Sequence, residues 1–403
     1  MDIGHWKLKS DAQKGMRNEN DLIMVKRSSS LSRVSSEILG AVHLSPLQGF
    51  RGFEGQSLFL IININFFAMR ISVRYLVLTG LALISLGAIA QTPLSRISVS
   101  GNKFVTSDGK TIVFRGLDTS DPDKLSRENH WNKEYFEAMK SWGANIVRFP
   151  VHPNAWRSQG KDNYIKLLDQ GIEWAGSLGM YVIIDWHSIG NLRSEMFQHV
   201  MYETTRKETY EFWRTMASHF KDNTTVAFFE LFNEPTVYNG QLGVCTWSEW
   251  KAMNEEMIII IRANGAKAIP LVAGFNWAYD LTPVANDPIK AEGIAYVSHP
   301  YPMKRSKPWE KQWTDDWGFV SDKYPLILTE IGFCGPDDSG AHVPVISDES
   351  YGDAITKYCS DRGISYTVWV FDPSWSPMLF TDWNFTPSRQ GRYFKAALLK
   401  AKQ

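Results

Sequence analysis

The feature that most constrains this chain is a repeated alternation of short apolar runs and longer amphipathic stretches, which begins near residue 97. The runs are rich in Val, Ile, Phe and Tyr and nearly continuous in hydrophobicity, as is typical of strands buried on both faces. In chain order they are TIVFRGL (111–117), ANIVRFP (144–150), MYVIIDWH (180–187), TVAFFELFNEP (225–235), KAIPLVAGF (267–275), GIAYVSHPY (293–301), YPLILTEIGF (324–333) and ISYTVWVFD (364–372). Eight strands alternating with helices predict an α/β fold, a (β/α)8 TIM barrel formed by a single catalytic domain.

An open doubly wound sheet would show the same alternation. That fold would need a phosphate or nucleotide site, and no G-x-G-x-x-G or G-x-x-x-x-G-K motif follows any of the runs. The segment ISVSGNKFVTSDGK (97–110) is typical of a hairpin that turns at Asp108–Gly109. We expect this hairpin to close the bottom of the barrel, at the amino-terminal ends of the strands.

The amino-terminal part of the chain predicts export. Residues 69–90 begin with Met69, Arg70 and Arg74, continue with an apolar stretch, and end with Ala88-Ile89-Ala90, the pattern of a cleavable signal peptide. An uncleaved membrane anchor is the alternative. We therefore expect a secreted or periplasmic catalytic domain over residues 91–403, with no stable membrane association after cleavage. Residues 1–68 precede this signal, and our hypothesis is that they are a non-native or upstream extension.

Composition narrows the possible partners. The 43 basic and 43 acidic residues balance, and no basic stripe indicates binding to nucleic acid. The 16 Trp suit a flat, poorly charged ligand such as a sugar, or equally an aromatic core.

Cys245, Cys334 and Cys359 are too few for a disulfide framework or zinc site, although one pair could bridge. A monomer is favoured.

Polar and aromatic side chains follow the apolar runs at the points where the predicted strands end. In a barrel these ends meet at one opening, where the chemistry of the fold is found. Taken singly, each residue has an ordinary explanation, such as a buried ion pair or a core aromatic, but six strand ends facing one opening favour a site. The residues are Arg148, His187, Asn233, Glu234, His299, Tyr301, Glu330 and Trp369; Trp186, Trp277 and Trp375 could stack on sugars or belong to the core.

Glu234 and Glu330 lie on the fourth and seventh predicted strands. Two carboxyl groups across a barrel mouth suit glycosidic cleavage, in which one protonates the leaving oxygen and the other attacks the anomeric carbon. We expect partial desolvation to keep Glu234 protonated. We expect Arg148 and the Tyr301 hydroxyl to keep Glu330 ionised.

The strand-end motifs NIVRFP, DWH, LFNEP, SHPY, LTEIGF and TVWVF resemble, in order and spacing, those of glycoside hydrolase family 5, the cellulase family of retaining (β/α)8 enzymes. The resemblance covers roughly residues 97–398. The loop GLDTSDPDKLSRENH after the first run departs from the family, because it lacks the glycine- or tryptophan-rich turn of many members. Substrate contacts from this loop are therefore in doubt.

The resemblance implies a role for each matching residue. Glu234 would be the acid/base and Glu330 the nucleophile, with their carboxyl groups about 5–5.5 Å apart. Asn233 would bind the sugar 2-hydroxyl, and His187 another hydroxyl. Arg148 and Tyr301 would orient Glu330. His299 would contact Glu234 or the substrate, and Trp369 would form the floor of the sugar site. No cofactor would be needed.

Together these inferences predict a secreted endo-β-1,4-glucanase that acts on cellulose-type or mixed-linkage β-glucan. The same chemistry on glucomannan, mannan or xyloglucan is the first alternative. A catalytically inactive carbohydrate-binding barrel is a remote one, because both carboxylates are present. A metal-dependent barrel hydrolase is another, but no H-x-H pair ends a strand, so we expect no metal.

Overall fold

The structure is a computed structural model that describes residues 93–401. The expected upstream extension and signal peptide, residues 1–68 and 69–90, lie outside the described residues. Between residues 93 and 401, no helix has the length and apolar character needed to cross a membrane.

The predicted barrel is confirmed. Eight parallel strands close on themselves, each hydrogen-bonded to the next. The strands are buried along their length, as the continuous apolar runs indicated; all six residues of the second strand are inaccessible, for example. From first to eighth they are β4 (Arg115–Thr119), β5 (Ile146–Val151), β6 (Tyr181–Trp186), β9 (Val226–Glu230), β11 (Ile269–Ala273), β12 (Ala295–Val297), β13 (Leu326–Ile331) and β14 (Ser365–Phe371).

Helices surround the barrel, and several of them begin after a residue whose side chain caps the first turn. The Asn132 and Thr205 side chains each accept a backbone N–H of the first helical turn, and Thr246 forms a capping box with Glu249. The helices are Pro122–Arg127, Lys133–Ser141, Pro153–Gln159, Lys161–Ser177, Arg206–Phe220, Trp247–Ala263, Glu310–Asp316, Glu349–Arg362 and Arg389–Ala401. None of the three cysteines is paired, so the possible disulfide does not form.

The bottom of the barrel is closed by a small antiparallel sheet, as expected from the hairpin pattern. Its strands are β1 (Ser98–Ser100), β2 (Lys103–Val105) and β3 (Thr111–Ile112). The first apolar run was predicted as one strand but is divided between this sheet and β4. The division lets Phe114 turn into the barrel floor, where it packs edge-on against Phe228 with ring centroids 5.2 Å apart.

At the opposite end, the fourth run is also divided. Its barrel strand ends at Glu230, whereas Glu234–Pro235 (β10) pairs with Ile189–Gly190 of β7 (Ile189–Asn191), which in turn pairs with β8 (Met196–Phe197). The Glu234 amide donates to the Ser188 carbonyl at 3.1 Å. The insert after the third strand therefore fixes the backbone of Glu234.

The barrel floor offers a test of this packing. Phe228 contacts the rings of both Phe104 and Phe114 and is fully buried. We expect Phe228→Ala to lower the free energy of unfolding by about 3–5 kcal/mol, because it removes buried apolar surface and leaves a cavity. Urea denaturation measures the change. Ile259→Ala, at a position 66% exposed, is the control and should change stability by less than about 0.5 kcal/mol; equal losses in both variants would contradict the packing.

Candidate active site

A cleft of about 940 Å³ lies at the carboxyl ends of the barrel strands. Arg148 and His299 lie fully buried beneath it. Trp186 belongs to the core, which corrects its prediction as a site residue. Its ring is fully buried, stacks on Phe212 with ring centroids 4.2 Å apart, and donates to Thr209, so it is not available to a sugar. The other predicted residues line the cleft: His187, Asn233, Glu234, Tyr301, Glu330, Trp369, Trp277 and Trp375.

The Arg148 guanidinium joins groups from several strands beneath the cleft. Its Nε donates to Glu230 Oε2 at 2.7 Å, its Nη1 to Glu330 Oε1 at 3.0 Å and its Nη2 to Asn233 Oδ1 at 2.7 Å. The Asp185 carboxylate lies 3.0 Å from Nη2. Burial alone would lower the pKa of Arg148, but the surrounding carboxylates raise it well above its usual value. The charge is therefore permanent and fixes the positions of its partners.

Glu330 is held at both oxygens. Oε1 accepts from Arg148, and Oε2 accepts from the Tyr301 hydroxyl at 2.8 Å. We expected these donors to keep the pKa of Glu330 low, but the net shift has the opposite sign. Burial raises the pKa of Glu330 from its usual value, with His299 and Arg148 opposing the shift and Glu234 adding to it.

Glu234 contacts His299 through Oε1 and Nδ1, 3.0 Å apart. The other ring nitrogen of His299 lies 2.9 Å from Thr329 Oγ1, whose hydroxyl donates to Glu230 at 2.8 Å. Burial lowers the pKa of His299, but Glu330, Glu230 and Glu234 outweigh that effect and raise it to about 10. The imidazole is therefore positively charged at neutral pH, and both its nitrogens are donors.

Glu230 is the lower member of this network. Burial disfavours its charged form, but Arg148 and His299 hold the pKa of Glu230 below its usual value. From the sequence, the only known property of Glu230 was its position inside an apolar run. The contacts explain why a carboxylate is tolerated there: it is paired with two cations.

His187 and Trp369 form one wall of the cleft. Their rings are parallel within 4° at a centroid distance of 5.2 Å. His187 Nδ1 lies 2.6 Å from Asp185 Oδ2, and burial holds the pKa of His187 well below its usual value. The ring is therefore neutral, and Asp185 occupies Nδ1, which leaves Nε2 for a ligand. No described residue hydrogen-bonds this nitrogen.

Sequence reasoning missed His152, which lies one residue after β5 and lines the cleft. Its Nδ1 lies 2.8 Å from Asp121 Oδ2, and its backbone N–H donates to the same oxygen at 3.0 Å. Asp121 also accepts from the Tyr164 hydroxyl at 2.8 Å. Extending the search two residues beyond each apolar run would have found His152.

The loop after the first strand supports the cleft from behind. Asp372 accepts from Ser120 Oγ and Lys124 Nζ, each at 2.6 Å, and from the backbone N–H of Trp375 at 3.0 Å. Neither Ser120 nor Lys124 lines the cleft. This segment therefore supports the backbone of Trp375 through Asp372.

Asp118, on the first barrel strand, is buried beside Arg148. Its Oδ2 lies 3.8 Å from Nη1, and neither carboxyl oxygen has a hydrogen-bond partner among the described residues. Burial raises the pKa of Asp118 well above its usual value, outweighing the attraction of Arg148. Asp118 is therefore protonated at pH values where an exposed aspartate is ionised.

One ligand atom from each of Glu234, His299 and Glu330 lies within 4.8 Å of the other two, a spacing that a metal ion could bridge. A metal ligand must be unprotonated, and His299, with its raised pKa, carries a proton at neutral pH. Glu330 is also already bound by Arg148 and Tyr301. The arrangement favours proton chemistry over metal binding.

The fold and the site together define a class, the (β/α)8 proteins with paired glutamates at the barrel mouth. Residues 105–374 match the cellulase family, glycosyl hydrolase family 5, and the chain belongs to that family. The predicted resemblance is thus confirmed.

Individual relatives agree with this assignment. The chain is 50% identical to the β-glucanase SdGluc5_26A of Saccharophagus degradans, solved with cellotetraose; the match covers 78% of this chain and 95% of that one, with a TM-score of 0.77. It is 28% identical to Endoglucanase A of Butyrivibrio fibrisolvens, over 68% of this chain and 59% of that protein. It is 25% identical to an endoglucanase of Paenibacillus polymyxa, over 70% of this chain and 82% of that protein.

The protonated state of Asp118 predicts how stability depends on pH. Above about pH 4 the unfolded chain releases this proton and the folded chain keeps it, so Asp118 lowers the stability of the folded protein as pH rises. Asp118→Asn removes this titration. Relative to the parent, we expect the variant to gain about 1 kcal/mol or more between pH 4 and pH 7, measured by urea denaturation.

Glu230→Gln should change the free energy of unfolding with pH in the opposite direction to Asp118→Asn. The lowered pKa of Glu230 stabilises the fold above about pH 4.3, and that contribution is lost as pH falls through its folded pKa. Its replacement should therefore cost more at pH 7 than at pH 4. If both variants changed with pH in the same direction, the assigned charge states would be wrong.

Proposed function

We propose that the protein is a retaining endo-1,4-β-glucanase that cleaves internal β-1,4-glucosidic bonds by double displacement. The observation that carries the proposal is the spacing of the two glutamates: an oxygen of Glu234 and an oxygen of Glu330 lie within 4.8 Å. Retaining glycosidases place their carboxyl groups about 5–5.5 Å apart, whereas inverting enzymes leave about 6.5–9.5 Å for a water molecule. The close approach of these two oxygens supports the retaining class.

In the first step, Glu330 attacks the anomeric carbon as Glu234 protonates the departing oxygen. Arg148 and Tyr301 each bind one oxygen of Glu330 and thereby fix its direction of attack. The charged ring of His299 holds Glu234 in position, because its Nδ1 lies 3.0 Å from Glu234 Oε1. In the second step, Glu234 accepts a proton from water, which releases the sugar from Glu330.

The groups around the pair match the hydroxyls of a sugar ring. Asn233 Nδ2 is buried without a hydrogen-bond partner among the described residues, so it can donate to the 2-hydroxyl of the ring being cleaved. His187 Nε2 can accept from another hydroxyl, and the Trp369 indole provides an apolar surface for the ring. Buried polar atoms without protein partners are expected where a ligand supplies them.

A neutral glucan is the proposed substrate class. The cleft presents tryptophan rings and hydrogen-bonding groups, and the similar Saccharophagus degradans β-glucanase is solved with cellotetraose. We propose cellulose-type or mixed-linkage β-glucan, with glucomannan, mannan or xyloglucan as alternatives for the same chemistry. We further propose that residues 91–403 form one catalytic domain, secreted or periplasmic after removal of residues 69–90.

A hydrolysis panel with a stereochemical readout tests the activity. The purified protein is incubated with carboxymethylcellulose, mixed-linkage β-glucan, glucomannan, mannan and xyloglucan, and proton NMR follows the first product from cellohexaose. We expect a rapid fall in polymer viscosity on the glucans and β-anomers formed first, with no effect of EDTA. An α-anomer formed first would exclude the double displacement, and loss of activity in EDTA would favour the metal-dependent alternative.

Substitution of Glu330 and substitution of Glu234 should impair different steps of the reaction. Glu330→Ala should lower kcat by about 10⁴-fold or more, and azide should partly restore turnover of an activated aryl cellobioside by forming the α-glycosyl azide. Glu234→Ala should impair cellohexaose far more than a dinitrophenyl cellobioside, whose leaving group needs little protonation. Glu292→Ala, at an exposed position, is the control. Equal losses on both substrates without azide rescue would refute the assigned roles.

A further inference from the structure

Five non-glycine residues with positive φ lie in two loops beside one end of the cleft. They are Tyr238 (φ 42°), Asn239 (φ 53°), Asn276 (φ 58°), Trp277 (φ 56°) and Ala278 (φ 56°). The left-handed region is unfavourable for residues that carry a β-carbon, and three in succession are rare. Such strain persists only where surrounding contacts impose it, and it concentrates at functional sites.

The run Asn276–Ala278 is fixed at its base. The Asp280 backbone N–H donates to the Phe275 carbonyl at 3.0 Å, and the His299 N–H donates to the Ala278 carbonyl at 3.1 Å. Gly274 permits the tight turn, because a β-carbon there would lie 1.9 Å from the Asp280 carbonyl oxygen. The strained segment is thus bonded directly to the backbone of His299, the partner of Glu234.

At its tip the segment presents the half-buried Trp277 ring to the cleft. The indole Nε1 donates to Gln198 Oε1 at 3.1 Å, and the Tyr238 ring packs against it edge-on at 5.7 Å. Lys304 makes two contacts with the segment: its Nζ donates to the Asn276 carbonyl at 2.9 Å and lies 4.7 Å from the centroid of the Trp277 ring. One ammonium group therefore holds both the backbone and the indole.

This wall lies on the leaving-group side of the paired glutamates. Trp277 follows β11, which pairs with β9, the strand that precedes Glu234. Trp369 lies on β14, which pairs with β13, the strand that contains Glu330. The acid/base protonates the oxygen of the departing sugar, so that sugar lies toward Trp277 and the sugar attached to Glu330 lies toward Trp369.

We propose that Lys304 is the positioning residue of a subsite for a neutral pyranose ring on the leaving-group side, and that it acts through Trp277. The proposal rests on the proposed glucanase function. A contact with the carbonyl and the ring occupies the ammonium, so the surface presented to the sugar is the indole itself. Strain in the free protein fixes that surface before substrate arrives, which lowers the entropy lost on binding.

The charge state of Lys304 is consistent with this role. Burial lowers the pKa of Lys304 to about 8, while the charges of Glu234 and Glu330 across the cleft favour its protonated form. The ammonium is therefore the main form at pH 7. A neutral amine would keep the hydrogen bond but lose the attraction to the ring.

Lys304→Met tests the proposal, because methionine keeps an apolar stem and removes both contacts. The substrates are cellohexaose, which has sugar rings on both sides of the cleaved bond, and β-cellobiosyl fluoride, which has no ring on the leaving side. We expect kcat/KM to fall about tenfold on cellohexaose, chiefly through KM, and less than about twofold on the fluoride. Lys304→Arg should restore most of the loss, because it retains the charge.

A double-mutant cycle separates positioning from direct contact. In a Trp277→Ala background, Lys304→Met should lower kcat/KM on cellohexaose by less than about twofold, since its effect passes through the missing ring. Lys307→Met is the matched control; Lys307 lies 5.0 Å from the Trp309 ring on the same loop but does not line the cleft, and its loss should leave both substrates unchanged.

Two results would overturn the proposal. Equal losses on cellohexaose and the fluoride would show a general structural role, and losses that multiply in the double variant would show that Lys304 acts independently of Trp277. Failure of the glucanase function is distinguishable, because the parent protein would then cleave neither substrate.

Discussion

The site depends on one buried cation, the Arg148 guanidinium. It binds Glu330 at the cleft, Asn233 beside Glu234, and Glu230 below; Glu230 and Glu330 lie on different barrel strands, and Asn233 follows the strand of Glu230. A planar guanidinium offers donors in fixed directions, so its partners cannot move independently. The barrel provides the required approach, because the carboxyl ends of all strands meet at one opening. Without Arg148, Glu230 would lose its closest counter-charge and Glu330 one of its two donors.

Charge balance explains the rest of the buried layer. His299 and Arg148 both face Glu230, so that carboxylate stays ionised although it is fully buried. Asp118 has no hydrogen-bond partner among the described residues and keeps its proton. Burial raises the pKa of Glu330 despite its two donors, which is contrary to the expectation from the sequence. Burial and neighbouring charges therefore set the charge state of each group in this layer, and His299, like Arg148, is positively charged.

Much of the fold and the main site could be predicted from the sequence. The apolar runs gave the eight strands, and reading their ends gave Arg148, His299 and the two glutamates. The predictions failed where a run changed partners: the fourth run leaves the barrel at Glu230, and Glu234 pairs with the insert after the third strand. Periodicity cannot show this change, because the apolar pattern continues through Leu231 and Phe232, beyond the end of the barrel strand. The prediction that Trp186 belongs to the site was wrong because a ring at a strand end can point outward to the helices as well as into the cleft.

The sequence by itself determined the barrel, the family and the chemical types available at its mouth, because burial on both strand faces and the order of strand-end motifs are local properties. Only the tertiary structure decided which groups meet. Three interactions join residues that are far apart in the chain: His152 pairs with Asp121, Lys304 contacts Trp277, and His299 contacts Glu234. Their energies depend on distance and desolvation, and neither quantity is encoded in the spacing of residues along the chain.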